Sequence, residues 1–169
     1  SLDVAINGNG FFEVQLPDGT IGYTRDGSFQ LDSQGRLVTS GGLPVANGIT
    51  VPQGATSISI SESGVVSATL AGNPQPQQLG QLAMSSFINA AGLQPVGQNM
   101  YKESAASGAP QQGQPGTNGL GVMRQGFLET SNVNVVEELV TMIQTQRAYE
   151  MNSKAIQTSD QMLAKLSQL

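Results

Sequence analysis

Three aspartates, Asp18, Asp26 and Asp32, are the residues of this chain whose type and spacing could do chemistry. Paired carboxylates act as acid and base in sugar hydrolysis, and clustered ones hold calcium. Each of the three stands where a tight turn wants an aspartate, in Asp18-Gly19, Asp26-Gly27 and Asp32-Ser33-Gln34-Gly35. An aspartate in such a turn bonds its own backbone, which accounts for all three more simply than catalysis does. Calcium is disfavoured further, because the dense alternating oxygen ligands of a calcium loop are missing. The chain has no His, Cys or Trp, so neither a Ser-His-Asp nor a Cys-His arrangement can be built, and zinc would find only carboxylates. Gly8, Gly10, Gly41 and Gly42 lack the Lys and the following helix of a phosphate cradle and read as bends. No catalytic residue, cofactor or metal is expected.

The stretches that carry these turns form a meander of short hairpins. Leu2 to Leu16 alternates as strand, bent at Gly8-Asn9-Gly10 before Phe11-Phe12-Glu13-Val14. Pro17 to Thr20 turns, Ile21 to Arg25 extends, Ser28 to Leu31 extends again, and Asp32 to Gly35 turns into Arg36 to Thr39. Gly41-Gly42 and Pro44 break the pattern, and Ile49 to Pro52 starts a new unit. Thr56 to Leu70 is the cleanest hairpin, with Ile58 and Ile60 on one face of its first strand and Val66, Ala68 and Leu70 on one face of its second. A turn at Gly72-Asn73-Pro74 leads to a strand over Gln77 to Phe87, with Leu82 and Met84 alternating. Asn99 to Glu103 reads as a short strand, Ser104 to Gly119 as a flexible or crossing loop, and Val122 to Glu129 as the strand that leads on.

All 21 glycines and all eight prolines lie at or before Gly126, so the residues hostile to helices stop where the last segment starts. Asn134 suits an N-cap, Glu137 and Glu138 suit the positive end of a helix dipole, and Lys154 and Lys165 lie toward the other end. The pattern predicts a helix from about Asn134 to about Gln168, roughly 50 Å long at 1.5 Å per residue. Met142, Tyr149, Ile156 and Leu163 recur as one apolar row, and Ala148, Met151, Ala155, Met162 and Leu166 form a second about a third of a turn away. Two rows suit a helix with neighbours on two sides; a single broad core-facing stripe is the competing possibility. Glu138 and Asp160 fall near the first row and would need water or a polar partner.

Charged residues make up only 11% of the chain, against roughly 25% in ordinary proteins, and Glu62 is the sole charge between Leu37 and Tyr101. A net charge of −5 without any Lys/Arg cluster argues against nucleic acid, and no run approaches the roughly 18 apolar residues of a membrane span. The absence of cysteine excludes disulfides and leaves the compartment open. The chain begins with Ser and has no signal sequence, so it is expected to be a fragment or a processed product.

Tyr23-Thr24-Arg25-Asp26-Gly27-Ser28-Phe29, followed by Asp32 to Thr39 and Gly41-Gly42, resembles the signature of the bacterial flagellar rod and hook protein family. Glu129 to Leu139, which contains Thr130-Ser131-Asn132-Val133, and Gln144 to Lys154, which contains Gln146-Arg147 and Tyr149, resemble that family's C-terminal helix, closing with Asp160 to Leu163. The short β insert and the ending at Leu169 are most similar to the family's distal-rod members; Ala46 to Gly119 matches in length and strand pattern.

The resemblance implies a mainly β fold of short hairpins and meanders with one long C-terminal α-helix. It divides the chain into 1–45 in an inner β domain, 46–103 as an outer β domain, 104–129 as a loop and return strand, and 130–169 as the helix of a polymer core. It implies an N-terminal helix that pairs with the C-terminal one, export by the flagellar type III apparatus, and a non-enzymatic subunit of a hollow periplasmic shaft that carries torque. The expected partners are further copies of the chain in a helical homopolymer, the proximal rod and hook proteins, and the surrounding basal-body rings. One helix seam is assigned to Leu139, Met142, Tyr149, Ile156 and Leu163, the other to Met151, Ala155, Met162 and Leu166. A hook or proximal-rod role stays open, as does a secreted β-rich binding module, although three Tyr, five Phe and no Trp supply few aromatic platforms for sugars.

Overall fold

In the computed structural model, which describes residues 2–166, the first alternating stretch becomes β1 (Val4–Asn7) and β2 (Phe11–Gln15). They are followed by β3 (Ile21–Thr24), β4 (Phe29–Leu31) and β5 (Leu37–Thr39). The middle of the chain supplies β6 (Ala55–Ile60), β7 (Val65–Leu70), β8 (Asn73–Gln81), β9 (Met84–Ser86), β10 (Gln94–Gly97) and β11 (Met100–Lys102). β12 (Gln111–Gly113) and β13 (Val122–Gln125) complete the strands, and α1 (Val135–Leu166) follows. The fold is mainly β with one C-terminal α-helix, and it divides into two units, Ser1–Glu129 and Thr130–Leu169.

Four antiparallel sheets make the first unit. The largest runs in the order β10-β11-β3-β2-β9-β12, with Phe12 opposite Thr24 on one side and Met84 on the other. It draws β2 and β3 from the segment 1–45, β9 to β11 from 46–103 and β12 from 104–129. β4 pairs with β5, the hairpin β6-β7 takes β8 as a third strand, and the first strand β1 pairs with the last, β13. The side chain of Gln125 extends that closure: its Oε1 accepts from the Ile60 N–H at 2.8 Å and its Nε2 donates to the Ile58 carbonyl at 3.0 Å, so β13 is stitched to the edge of β6.

Several elements differ from the pattern in the sequence. The stretch from Gln77 to Phe87 is two strands, because the chain leaves one sheet after Gln81 and joins another at Met84. β8 already begins at Asn73 and includes Pro74 and Pro76, which an edge strand tolerates because no neighbour there needs their missing N–H groups. The expected loop from Ser104 to Gly119 contains β12, bonded to β9 with Gln112 opposite Ser85. β13 stops at Gln125, short of the expected Glu129.

The core gathers where the sheets meet. Phe12 and Phe29 pack edge to face with ring centres 5.0 Å apart, surrounded by Val4, Leu37, Val66, Met84 and Met123, all essentially inaccessible to solvent. Ile60, Val66 and Ala68 face this core as the alternation of the hairpin requires, while Ser57 and Ser59 face water. Among the described residues no buried side-chain nitrogen or oxygen lacks a partner.

In the second unit Asn134 caps α1: its Oδ1 accepts from the Val136 N–H at 3.2 Å, and its carbonyl accepts from the Glu138 N–H at 3.1 Å. Glu137 and Glu138 occupy the first turn and Lys165 the last, while the expected end at Gln168 lies outside the described residues. No residue of the helix is buried.

Gly27 has the least room of the closely packed positions. A Cβ there would stand 1.7 Å from the Val4 carbonyl oxygen. Gly27→Ala is expected to push β1 out of place and cost about 3 kcal/mol or more in urea unfolding. Gly72→Ala, with φ of 92° but nothing within 4 Å of the new Cβ, should cost only about 1 to 2 kcal/mol.

Candidate functional site: the Arg25 clasp and the helix rows

β3 ends at Thr24, and the turn that follows sends the Arg25 side chain onto the bend between β1 and β2. Its Nη1 donates to the carbonyls of Gly8 and Gly10, both at 2.8 Å, and its Nη2 donates to the carbonyl of Ile6 at 3.2 Å. The bend takes the Gly8 and Gly10 carbonyls out of the regular ladder, and a planar five-donor fork can serve them and the Ile6 carbonyl of β1 at once. The same guanidinium holds Glu129, with Nε 2.9 Å and Nη2 2.8 Å from Oε2. Glu129 is the last residue of the first unit, 104 positions along the chain from Arg25.

The neighbours of Arg25 build the rest of the clasp. Thr24 Oγ1 donates to the Asn99 carbonyl at 2.8 Å and accepts from the Asp26 N–H at 3.0 Å. Asp26 Oδ1 accepts from the N–H and hydroxyl of Ser28, and the Asn99 amide reaches Asp26 Oδ2 at 3.3 Å. Gly27 lets β1 close in, and the Val4 N–H donates to its carbonyl at 3.0 Å. Phe29 is buried in the core against Phe12. Arg25 and Gly27 therefore act on β1 directly, while Thr24 and Asp26 tie the same turn to Asn99 and Phe29 anchors it in the core. Glu129 was absent from the site residues expected from sequence; its signal was an acid opening the C-terminal motif, with nothing to say which cation it meets.

The three aspartates repeat one device. Asp18 Oδ1 accepts from the Thr20 N–H at 2.9 Å, Asp26 Oδ1 from the Ser28 N–H at 3.0 Å, and Asp32 Oδ1 from the Gln34 N–H at 2.8 Å. Asp18 also pairs with Lys102, and Asp32 with Arg36. Bonds from Lys102 and Thr20 hold the Asp18 carboxyl well below the usual range. For Asp26, burial pushes the pKa up, but the Ser28 hydroxyl and N–H and the Asn99 amide outweigh it and the net shift is downward. The Arg36 N–H leads the groups that lower Asp32. Carboxylates held ionised and committed to turns have no proton to exchange near neutral pH. Among the described residues no three His, Cys, Asp or Glu side chains gather in a way that could hold a metal ion. Among the described residues no helix is long and apolar enough to cross a membrane.

A buried acid that sequence reasoning did not single out is Glu13. Its Oε1 accepts from the Ser85 hydroxyl and its Oε2 from the Gln112 amide at 3.1 Å, so one carboxylate ties β2 to β9 and β12. Nearby, burial first and then the charges of Glu13 and Glu103 push the Tyr23 phenol up to about 12.

Both helix rows are open to solvent. Met142, Tyr149, Ile156 and Leu163 are 58% to 77% exposed, Met151, Met162 and Leu166 63% to 67%, and Leu139 and Ala155 are exposed as well. Covering a side chain such as Leu or Ile contributes about 1.5 to 3 kcal/mol, so each row holds a large unrealised gain. Thr130, Ser131, Asn132 and Val133 form an exposed lead-in to the cap, in which Ser131 Oγ accepts from the Val133 N–H at 3.2 Å. Gln146 and Arg147 are exposed on the helix beside Tyr149.

Residues 5–68 match the family described as the flagellar hook protein FlgE/F/G D1 domain, and residues 124–169 match the flagellar basal body rod FlgEFG protein C-terminal family. The flagellar basal-body rod protein FlgG of Buchnera aphidicola subsp. Acyrthosiphon pisum is 61% identical over 169 residues, covering 100% of this chain and 65% of that protein. The protein of the same name from Borreliella burgdorferi is 55% identical over 163 residues, 95% of this chain and 62% of that one. The flagellar hook protein FlgE of Borreliella burgdorferi is 39% identical over 110 residues, 65% of this chain and 25% of that protein. The chain thus spans less than two thirds of the length of these rod proteins.

Arg25→Ala should cost about 2 to 3 kcal/mol in urea unfolding, because three carbonyls lose a charged donor. Arg25→Lys should recover less than half of that, since one ammonium cannot span the fork, and Glu129→Gln should cost under about 1 kcal/mol as a partly exposed pair. Asp26 is held below its unfolded pKa, so its contribution is present above the usual aspartate value and lost as pH falls through the depressed one. The stability gap between the wild type and Asp26→Asn should accordingly close in acid and be constant near neutrality; a gap that widens in acid would contradict the clasp.

Proposed function

As this chain belongs to the flagellar rod and hook protein family, matched near both of its ends, we propose that it is a structural subunit of the flagellar distal rod. The observation that carries the proposal is α1 itself: a helix of 32 residues with no buried residue and two exposed apolar rows. A helix like this gains stability by packing against other helices. Rod is favoured over hook by the two proteins of Borreliella burgdorferi, where the rod protein aligns with 95% of this chain at 55% identity and the hook protein with 65% at 39%.

The mechanism is packing, with no catalytic step. One seam runs along Leu139, Met142, Tyr149, Ile156 and Leu163, the other along Met151, Ala155, Met162 and Leu166, and copies of the chain stack through them into a hollow shaft that passes torque outward. In the longer relatives, a segment ahead of β1 would enter beside Gly126, because β1 pairs with β13 and the Gly126 N–H donates to the Asp3 carbonyl at 2.8 Å. A helix carried by that segment is the natural occupant of one row once the subunit is built into the shaft. The three-stranded sheet β6-β7-β8, from the expected outer segment 46–103, is the part we assign to contacts between subunits. The other partners are the proximal rod and hook proteins and the rings around them, and the location is the basal body, reached through the flagellar export apparatus.

Ile156→Asp in the full-length protein should abolish rod assembly while changing the unfolding of the β unit by less than about 0.5 kcal/mol. A variant that still builds rods would overturn the seam. Electron microscopy of basal bodies from a strain lacking the gene should show a rod that stops short and bears no hook. A complete rod missing only its hook would move the subunit one segment outward, and normal flagella would remove the proposal altogether.

A further inference from the structure

The six methionines divide evenly by environment. Met84, Met100 and Met123 belong to the β unit and are 0%, 3% and 1% exposed, whereas Met142, Met151 and Met162 lie on α1 and are 58%, 67% and 63% exposed. The first three fill a core, as methionine commonly does. The second three present their thioethers to solvent, in a chain with no cysteine to react ahead of them.

A hydroperoxide oxidises a thioether only if it can reach the sulfur. A sulfur lone pair attacks one oxygen of hydrogen peroxide, the O–O bond breaks as the S–O bond forms, and the hydroxide that leaves takes up the proton lost by the oxygen now on sulfur and becomes water. The sulfur is oxidised by two electrons and the peroxide is reduced by two; the product sulfoxide is polar and is returned to the thioether by reductases.

We infer that Met142, Met151 and Met162 are peroxide oxidation sites of the unassembled chain, and that their sulfoxides keep α1 out of the polymer. The second half rests on the rod proposal. Met142 stands in one apolar row and Met151 and Met162 in the other, so oxidation places a strong acceptor in each seam, where burial without a donor is unfavourable. Assembly covers the same sulfurs. The susceptible interval therefore ends when the subunit is incorporated, and only subunits with intact rows are added.

The test begins with purified, unassembled full-length protein treated with hydrogen peroxide and mapped by peptide mass spectrometry over time. Met142, Met151 and Met162 should oxidise roughly tenfold or more faster than Met84, Met100 and Met123, which must wait for the β unit to open. Equal rates at all six would overturn the inference. Isolated basal bodies treated in the same way should show the three helix methionines protected, and oxidation there as fast as in the free protein would overturn it too. In cells given sublethal peroxide, mass spectrometry should find the three helix sulfoxides in the unassembled pool at roughly tenfold or more the level in completed rods. Equal levels in the two fractions would sink the oxidation inference alone if Ile156→Asp still blocks assembly; rods built by Ile156→Asp would sink the rod proposal beneath it.

Discussion

The pairing of β1 with β13 is the constraint on which the rest of the first unit depends. It joins the beginning of that unit to its end, with Val4 opposite Gln125 and Asn7 opposite Val122. Three features serve it. Gly27 lets its backbone lie on the Val4 carbonyl, and Gly8 and Gly121 approach so closely that a Cβ on either would stand under 3 Å from the other's backbone. Arg25 then takes up the Gly8 and Gly10 carbonyls that the bend after β1 leaves outside a ladder, together with the Ile6 carbonyl of β1. A residue pattern that reads as a surface motif, Thr24-Arg25-Asp26-Gly27, thus acts through backbone geometry.

That closure also defines where the connector to α1 begins. Gly126 is bonded to Asp3, and Glu129 is held by Arg25, so both ends of the short stretch from Gly126 to Glu129 are tied to the β unit. The ion pair is partly exposed and contributes modestly by itself. Its carbonyl partners matter more, because charged donors to backbone oxygens are stronger than neutral ones and the fork geometry serves them simultaneously.

Where local chemistry and periodicity agreed, the fold was legible. The hairpin of β6 and β7 had alternation on both strands and a Ser-Glu-Ser-Gly turn between them, and α1 had its cap, its acidic first turn and a sequence free of Gly and Pro. Legibility failed where pairing is made by backbone alone. Gln111-Gln112-Gly113 has no apolar alternation, yet it forms an edge strand on β9. Leu82 and Met84 continue one alternation while the chain passes between sheets, so the break between β8 and β9 leaves no trace in the pattern. Of the candidate site, the motif Thr24 to Phe29 was visible as a resemblance, but its work on β1 and its reach to Glu129 are contacts across most of the unit, which no local signal reports. The helix rows were visible as periodicity, and their exposure is what the structure adds.

The prolines of β8 bear on how such chains meet. Pro74 and Pro76 remove two donors from one rim of the three-stranded sheet, and on its other rim the Gln125 amide already occupies the Ile60 N–H and Ile58 carbonyl of β6. Neither rim offers an uninterrupted row of free backbone groups to a second strand, which is the contact that leads to cross-β aggregates. The sheet is thereby denied the disordered route of strand addition at either rim.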